Sequence, residues 1–232
     1  MTIPEKDTGL LTGGIILINK PLGWTSFDAV NKIRSVLRKY YGIHKIKVGH
    51  AGTLDPLASG LVIICTGRMT REISTFQALE KEYVAEFMLG RTTPSFELET
   101  EIDGEYETAH ITRELVEKAL EKFRGEFDQV PPLFSAKFID GKRAYKRARR
   151  GDDIELPAAR VSIRELEIEH FELPVLRLRV SCSKGTYIRS LARDIGRELN
   201  SGAYLASLKR TRIGGYMLED AVSPEEFQKK HA

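Results

Sequence analysis

A chain of 232 residues, 41% hydrophobic and 30% charged, has the balance of a globular protein that can bury a sizeable core, which excludes a disordered or low-complexity class. Its longest apolar runs, Ile15–Ile18 and Leu61–Cys65, are strand-sized and far too short to span a bilayer. The net charge is only +3, yet residues 97–107 carry six acids and residues 142–150 carry six bases in nine positions, so a basic face for a polyanion is concealed by a modest total. No basic stretch followed by an apolar one opens the sequence, so no secretory leader and a cytoplasmic location are expected. Cys65 and Cys182 lie in apolar, strand-like segments and are expected as buried reduced thiols rather than a disulfide.

In chain order, Ile15–Ile18 reads as a buried strand ended by Asn19-Lys20-Pro21-Leu22-Gly23. A helix follows with Ser26 as its N-cap, Asp28 in the first turn and Val30, Ile33 and Leu37 on one face. Leu61–Cys65 is a second buried strand, and Tyr83–Leu89 alternates as a half-exposed one. Thr112 caps a helix with Leu115, Ala119, Leu120 and Phe123 inward, closed by Gly125. Leu176, Leu178, Val180 and Cys182 alternate in a further strand that leads through Lys184-Gly185-Thr186 into a helix. That helix turns Ile188, Leu191, Ile195 and Leu199 inward and carries Arg189, Arg193 and Arg197 on another stripe. Ser223-Pro224-Glu225-Glu226 is a capping box with proline at the first helical position.

Strands and helices intermix without strict βαβ alternation. This predicts an α/β fold of the mixed, α+β-like kind, a largely antiparallel mixed sheet flanked by helices and loops, rather than a doubly wound one. With no repeat or low-complexity linker, residues 1–232 read as a single domain with a core over about 13–222. Asp128–Gly151 stands apart: it opens with Val130-Pro131-Pro132, is rich in Lys, Arg, Tyr and Phe, and ends in glycine. It reads as an insertion projecting from the sheet, with a short basic helix over Arg143–Arg150.

There is no P-loop, dinucleotide fingerprint or nucleophile elbow. The five histidines and two cysteines show no metal-ligand spacing, so neither a metal nor a cofactor is expected. What remains is a dense block, Gly49-His50-Ala51-Gly52-Thr53-Leu54-Asp55-Pro56-Leu57-Ala58-Ser59-Gly60, whose glycines allow tight turns and close approach of a ligand. Asp55-Pro56 also has an ordinary reading as the N-cap and first residue of a helix. The strand-like run from Leu61 leaves room for barely one turn of it.

This block resembles the catalytic motif of the TruB family of pseudouridine synthases, in which the aspartate is essential. Five other segments are similar to that family in the same order: NKPLGWTS at 19–26, KEYV at 81–84, PPLFSAKFIDGKRAYKRARRG at 131–151, CSKGTYIRSLARDIG at 182–196 and SLKRTRIG at 207–214. The resemblance runs from about Gly13 to Val222. It implies a pseudouridine synthase fold with an RNA-binding insertion over about 128–151, and no C-terminal PUA domain within this chain. One departure concerns Arg91–Glu99, which lacks the aspartates of the family's Thr-Asp-Thr-x-Asp segment and offers Glu97 or Glu99 instead.

What the resemblance implies is isomerisation of a uridine in the T-loop of tRNA, by base flipping and aspartate-dependent cleavage and rejoining of the glycosidic bond. Asp55 is then the catalytic carboxylate and Arg189 the guanidinium paired with it. Tyr83 lies beside the uracil and helps take the C5 proton. His50 fills the space the flipped base vacates, Leu208 and Tyr187 line the substrate site, and Lys20 supports the loop. Lys142, Arg143 and Arg147 grip phosphates. The T-stem-loop is the expected partner, with no membrane, no obligatory protein partner and a monomeric state. Two other readings stay open: a synthase acting on ribosomal RNA, alone or guided, and a non-catalytic tRNA-folding protein.

Overall fold

The computed structural model describes residues 9–134, 138–139, 142–143 and 156–231. Its residues group into two compact units, Met1–Glu82 with Lys209–Ala232, and Tyr83–Leu208.

The first unit is built around β3 (Ala58–Thr66), buried along nearly its whole length. Its apolar run reflects that position: β1 (Ile15–Lys20) pairs antiparallel with it, Ile15 opposite Cys65 and Lys20 opposite Gly60, and so does β2 (Val48–His50). A strand covered on both faces has no polar alternation to show. β12 (Ala203–Ile213) follows β3 in the strand order and pairs antiparallel with the short β13 (Tyr216–Met217). Ala51, Leu61, Ile63, Cys65, Phe76 and Ile213 form one buried cluster.

Helix α1 (Gly9–Gly13) precedes β1, and α2 (Ser26–Tyr41) buries Ala29, Val30, Ile33, Val36 and Leu37. The N-cap of α2 is Thr25 and not Ser26: Thr25 and Asp28 close a capping box, and the Ser26 side chain is buried instead. Further on lie α3 (Ile73–Ala78) and α6 (Pro224–Lys230), the latter opened by the expected Ser223–Glu226 capping box. No helix follows Asp55-Pro56; after one turn the chain enters β3.

The second unit has the strand order β4-β11-β10-β7, where β4 is Lys81–Leu89, β7 Gly125–Gln129, β10 Ala159–Glu172 and β11 Val175–Cys182. β10 pairs antiparallel with both β7 and β11. The alternation of β4 is as expected, with Tyr83, Ala85, Phe87 and Leu89 buried. Helix α4 (Arg113–Glu121) is capped by Thr112 but ends before Gly125, which opens β7 with φ 77°. Helix α5 (Ile188–Glu198) buries Ile188, Leu191, Ala192 and Ile195 as its pattern requires, and Arg189 with them.

The hairpin of β5 (Arg91–Thr92) and β6 (Gly104–Glu105) carries acids of the 97–107 run. A second hairpin, β8 (Phe138–Ile139) with β9 (Lys142–Arg143), falls in the insertion. Arg143 thus belongs to a strand, and the rest of the expected basic helix, with Arg147, lies outside the described residues. The mixed, largely antiparallel α/β architecture is the expected one. Cys65 and Cys182 are buried free thiols, and burial pushes the Cys65 thiol up to about 11.

Gly60 fixes how closely β3 and β12 approach. It adopts φ 108°, and a Cβ there would lie 2.3 Å from the Arg210 carbonyl oxygen and 2.8 Å from its nitrogen. Both the backbone conformation and the packing require glycine. Gly60→Ala should therefore lower the unfolding free energy by about 2–4 kcal/mol. Gly23→Ala, at φ 83° with no atom within 4 Å of its Cβ, should lose only about 1 kcal/mol. Urea unfolding of the two variants checks the difference.

Candidate active site

In the first unit, the loop 51–58 is fixed almost residue by residue. The Ala51 amide donates to the Ile63 carbonyl at 2.9 Å, and the Gly23 amide to Pro56 at 2.8 Å. The Ser26 hydroxyl accepts from the Leu54 amide at 2.8 Å and donates to the Leu54 carbonyl at 3.1 Å. Arg210 donates through Nη2 to Gly52 and through Nη1 to Thr53, each at 3.3 Å, while its Nε bonds Leu61 at 2.7 Å. The Lys20 ammonium reaches Ala58 at 2.5 Å, Trp24 at 2.6 Å and Pro21 at 3.1 Å, all carbonyl oxygens. Asp55 stands half-buried in the middle of this loop.

Lys20 and Arg210 are 0% and 1% exposed, so two cations lie inside the unit beside the aspartate loop. Burial lowers the Lys20 ammonium to about 8, against the pull of Asp55, with Arg210 pushing it down further. His50, at the end of β2, has its imidazole held below the ordinary value by burial; the Gly52 backbone raises it and Arg210 lowers it. It is therefore neutral at pH 7, and its Nδ1 is buried without a hydrogen-bond partner among the described residues.

The second unit holds Tyr83, Tyr187, Arg189 and Leu208. Tyr83 is buried on the inward face of β4, and Leu208 is half-buried in β12. Arg189, on the first turn of α5, pairs with Glu97 at 3.2 Å, both side chains nearly inaccessible at 5% and 7%, and donates to the Phe134 carbonyl at 3.0 Å. Glu97 is itself aimed by a tight turn: Phe96 takes a left-handed φ of 62°, and the Thr93 and Ser95 hydroxyls both donate to the Glu97 carbonyl. A phenylalanine in that region costs about 1–3 kcal/mol; the Arg193 guanidinium, 4.8 Å over its ring, helps hold it. Gln129 locks Tyr187 from both sides, accepting from its amide at 2.8 Å and donating to its carbonyl at 3.1 Å.

Arg210, Ser26 and Gln129 escaped the sequence reading. Ser26 looked like a cap because serine usually is one. Arg210 stood in a run of bases that reads as solvated, and only the alternation of β12 would have turned it inward. Of Lys142 and Arg143 the backbone is described, and Arg147 lies outside the described residues. Among the described residues no three His, Cys, Asp or Glu come together as a metal site, and no helix is long and apolar enough to cross a membrane.

Residues 38–188 match the TruB family pseudouridylate synthase (N terminal domain). The tRNA pseudouridine synthase B of Phocaeicola vulgatus is 58% identical over 215 residues, 93% of this chain and 92% of its own length. That of Parabacteroides distasonis is 57% identical over 217 residues, 94% and 92% of the two chains. Among solved structures, a Cbf5-Nop10-Gar1 complex superposes with a TM-score of 0.70 at 25% identity, over 96% of this chain and 55% of that one. An archaeal box H/ACA sRNP Nop10-Cbf5 complex gives 0.66 at 24%, over 96% and 54%, a likeness of fold. The chain thus spans about half the length of those two solved chains.

Lys20→Met keeps the stem but removes every donor to Pro21, Trp24 and Ala58. It should lower the unfolding free energy by about 2–4 kcal/mol at pH 7. Because the folded pKa of about 8 lies below the ordinary 10.5, the folded chain binds fewer protons than the unfolded one between those values. The contribution of Lys20 to stability therefore rises through that window. Urea unfolding at pH 7 and pH 10 should show the gap between wild type and variant widening.

Proposed function

The chain belongs to the TruB family of pseudouridylate synthases, and from that premise we propose that it isomerises a T-loop uridine of tRNA to pseudouridine with Asp55 as the catalytic carboxylate. The observation that carries this reading is the half-buried Asp55 on a loop immobilised on both sides, at the position where the family motif has its aspartate. The reaction breaks the C1′–N1 bond and joins C1′ to C5 of the same base. It needs a carboxylate held still, a shielded place for the detached uracil and removal of the C5 proton, and neither a metal nor a redox cofactor. A fixed carboxylate is an accepted covalent catalyst.

The other roles follow from what each side chain offers. Tyr83 supplies an aromatic face and a phenol beside the uracil. Arg189, kept in place by Glu97 and the Phe134 carbonyl, supplies a guanidinium that cannot swing away. The neutral ring of His50 replaces the stacking that the T-loop gives up when the uridine leaves it, a step costing a few kcal/mol. Leu208 and Tyr187 line the site. Lys142, Arg143 and Arg147 in the insertion bind phosphates, which give affinity without reading sequence. The enzyme acts on the T-stem-loop as a monomer, without a protein partner, in the cytoplasm. Carbodiimide mapping of a tRNA transcript incubated with the protein tests the reading: a stop at the T-loop uridine is expected, and none anywhere would overturn it.

Asp55→Asn should lower turnover more than a hundredfold and leave tRNA binding within about threefold, as measured by single-turnover tritium release and filter binding. Residual activity above that level means another group carries the chemistry.

The insertion should separate from the sheet. Gln129 of β7 lies opposite Ala159 of β10, so the segment leaves and returns at neighbouring strand ends, and residues 130–134 are tied to α5 through the Val130 and Phe134 carbonyls. Replacing residues 135–155 by a short glycine linker should keep the unfolding transition and weaken tRNA binding. The slope of log affinity against log salt should flatten by roughly 0.7–0.9 for each phosphate that the shortened protein no longer neutralises. An unchanged slope would make the basic segment a solvated appendage.

A further inference from the structure

We propose that Arg210 is a positioning residue of this active site, bracing against β3 the loop that follows His50 and bears Asp55. The proposal rests on the catalytic reading of Asp55 and deepens it. Arg210 is 1% exposed, yet among the described residues no carboxylate lies within salt-bridge distance of it. Its hydrogen bonds go instead to main-chain carbonyls, Nε to Leu61 in β3 and the two Nη atoms to Gly52 and Thr53 in the loop. One planar group therefore spans a rigid strand and the turn that leads into Asp55.

A buried guanidinium answered only by carbonyls is a poor way to stabilise a fold, because apolar side chains of similar volume usually do as well or better. What an aliphatic residue cannot supply is a fork with fixed angles between its donors. The base of that fork is fixed too. Gly60 lets the Arg210 backbone approach so closely that a Cβ would meet its carbonyl oxygen at 2.3 Å, and β12 cannot slide against β3 without a clash. Gly52, one of the two loop residues gripped, has φ 103°, a conformation with weak local preferences that an external donor can fix. His50 lies two residues before it and Asp55 three after. Displacement of a reacting group by about 1 Å costs on the order of a hundredfold in rate, so a brace here governs chemistry more than binding.

The test uses the full chain with Arg210→Lys, which keeps the charge but offers a single nitrogen for three separated acceptors. Three quantities are read: the single-turnover rate constant of pseudouridine formation, the Kd for tRNA, and amide hydrogen exchange in peptides across 51–60 and across β1. The expected result is a rate constant lowered by roughly 30–300-fold, a Kd within about threefold of wild type, and faster exchange confined to 51–60. Arg210→Gln, which keeps a short amide donor without the charge, should lose as much or more. A wild-type rate constant in Arg210→Lys, a loss confined to Kd, or faster exchange throughout the unit overturns the proposal. So does failure of both variants to fold, since the arginine would then serve the fold as a whole. Should the wild type form no pseudouridine, the catalytic reading fails by itself, and exchange across 51–60 still decides whether Arg210 braces the loop.

Discussion

Backbone carbonyls satisfied by buried cations are the constraint on which the first unit depends. A loop drawn inside a protein must find donors for its carbonyl groups, since each one left unsatisfied costs on the order of 1–3 kcal/mol. Among the described residues no strand pairs with the segment from Gly52 to Leu57. Lys20 and Arg210 supply the donors from β1 and β12, and Ser26 adds a hydroxyl from the first turn of α2. The loop's shape is therefore imposed by three distant parts of the chain. Removing two charges from water is expensive, and the attraction of Asp55 for Lys20 offsets part of that penalty. The aspartate and its supports thus stabilise one another.

The second unit solves a related problem with the opposite partner. Arg189 is buried too, but it meets a carboxylate, Glu97, as well as the Phe134 carbonyl. A fork facing a carboxylate fixes direction as well as distance. The left-handed Phe96 supplies the tight turn that points Glu97 inward, and the Arg193–Phe96 contact ties this turn to the same helix that carries Arg189. Strain in one residue is thereby balanced by two contacts to α5.

Much of this was legible in the sequence, for reasons that differ by element. β3, β4, β11 and α5 show in their apolar spacing because each buries a face or both faces, and period follows burial. The block around Asp55 stood out for its glycines, yet Asp55-Pro56 alone also reads as the start of a helix, and the family resemblance singled out the aspartate. The N-cap of α2 was misplaced by one residue because Thr25 and Ser26 are both good caps, and only the partner of the Ser26 hydroxyl, Leu54, decides between them. That partner is 28 residues away. Arg210 was hidden for the same reason. A charge is read as solvated unless its partner is known, and the partners of this one are main-chain carbonyls far away in sequence.

The insertion illustrates how a fold can carry an added basic segment without depending on it. β7 and β10 are adjacent antiparallel strands, so their connection could be a tight hairpin, and everything added between them alters no register in the sheet. What must be fixed is only the stem of the added segment. The structure fixes it through Gln129 on Tyr187 and through Val130 and Phe134 on Ser190, Arg193 and Arg189. The Arg189 guanidinium therefore meets both Glu97 and the root of the basic segment. Because Phe134 roots the segment on that guanidinium, the root cannot shift without disturbing the ion pair. The start of the segment and the direction of the Arg189 guanidinium are thus set together.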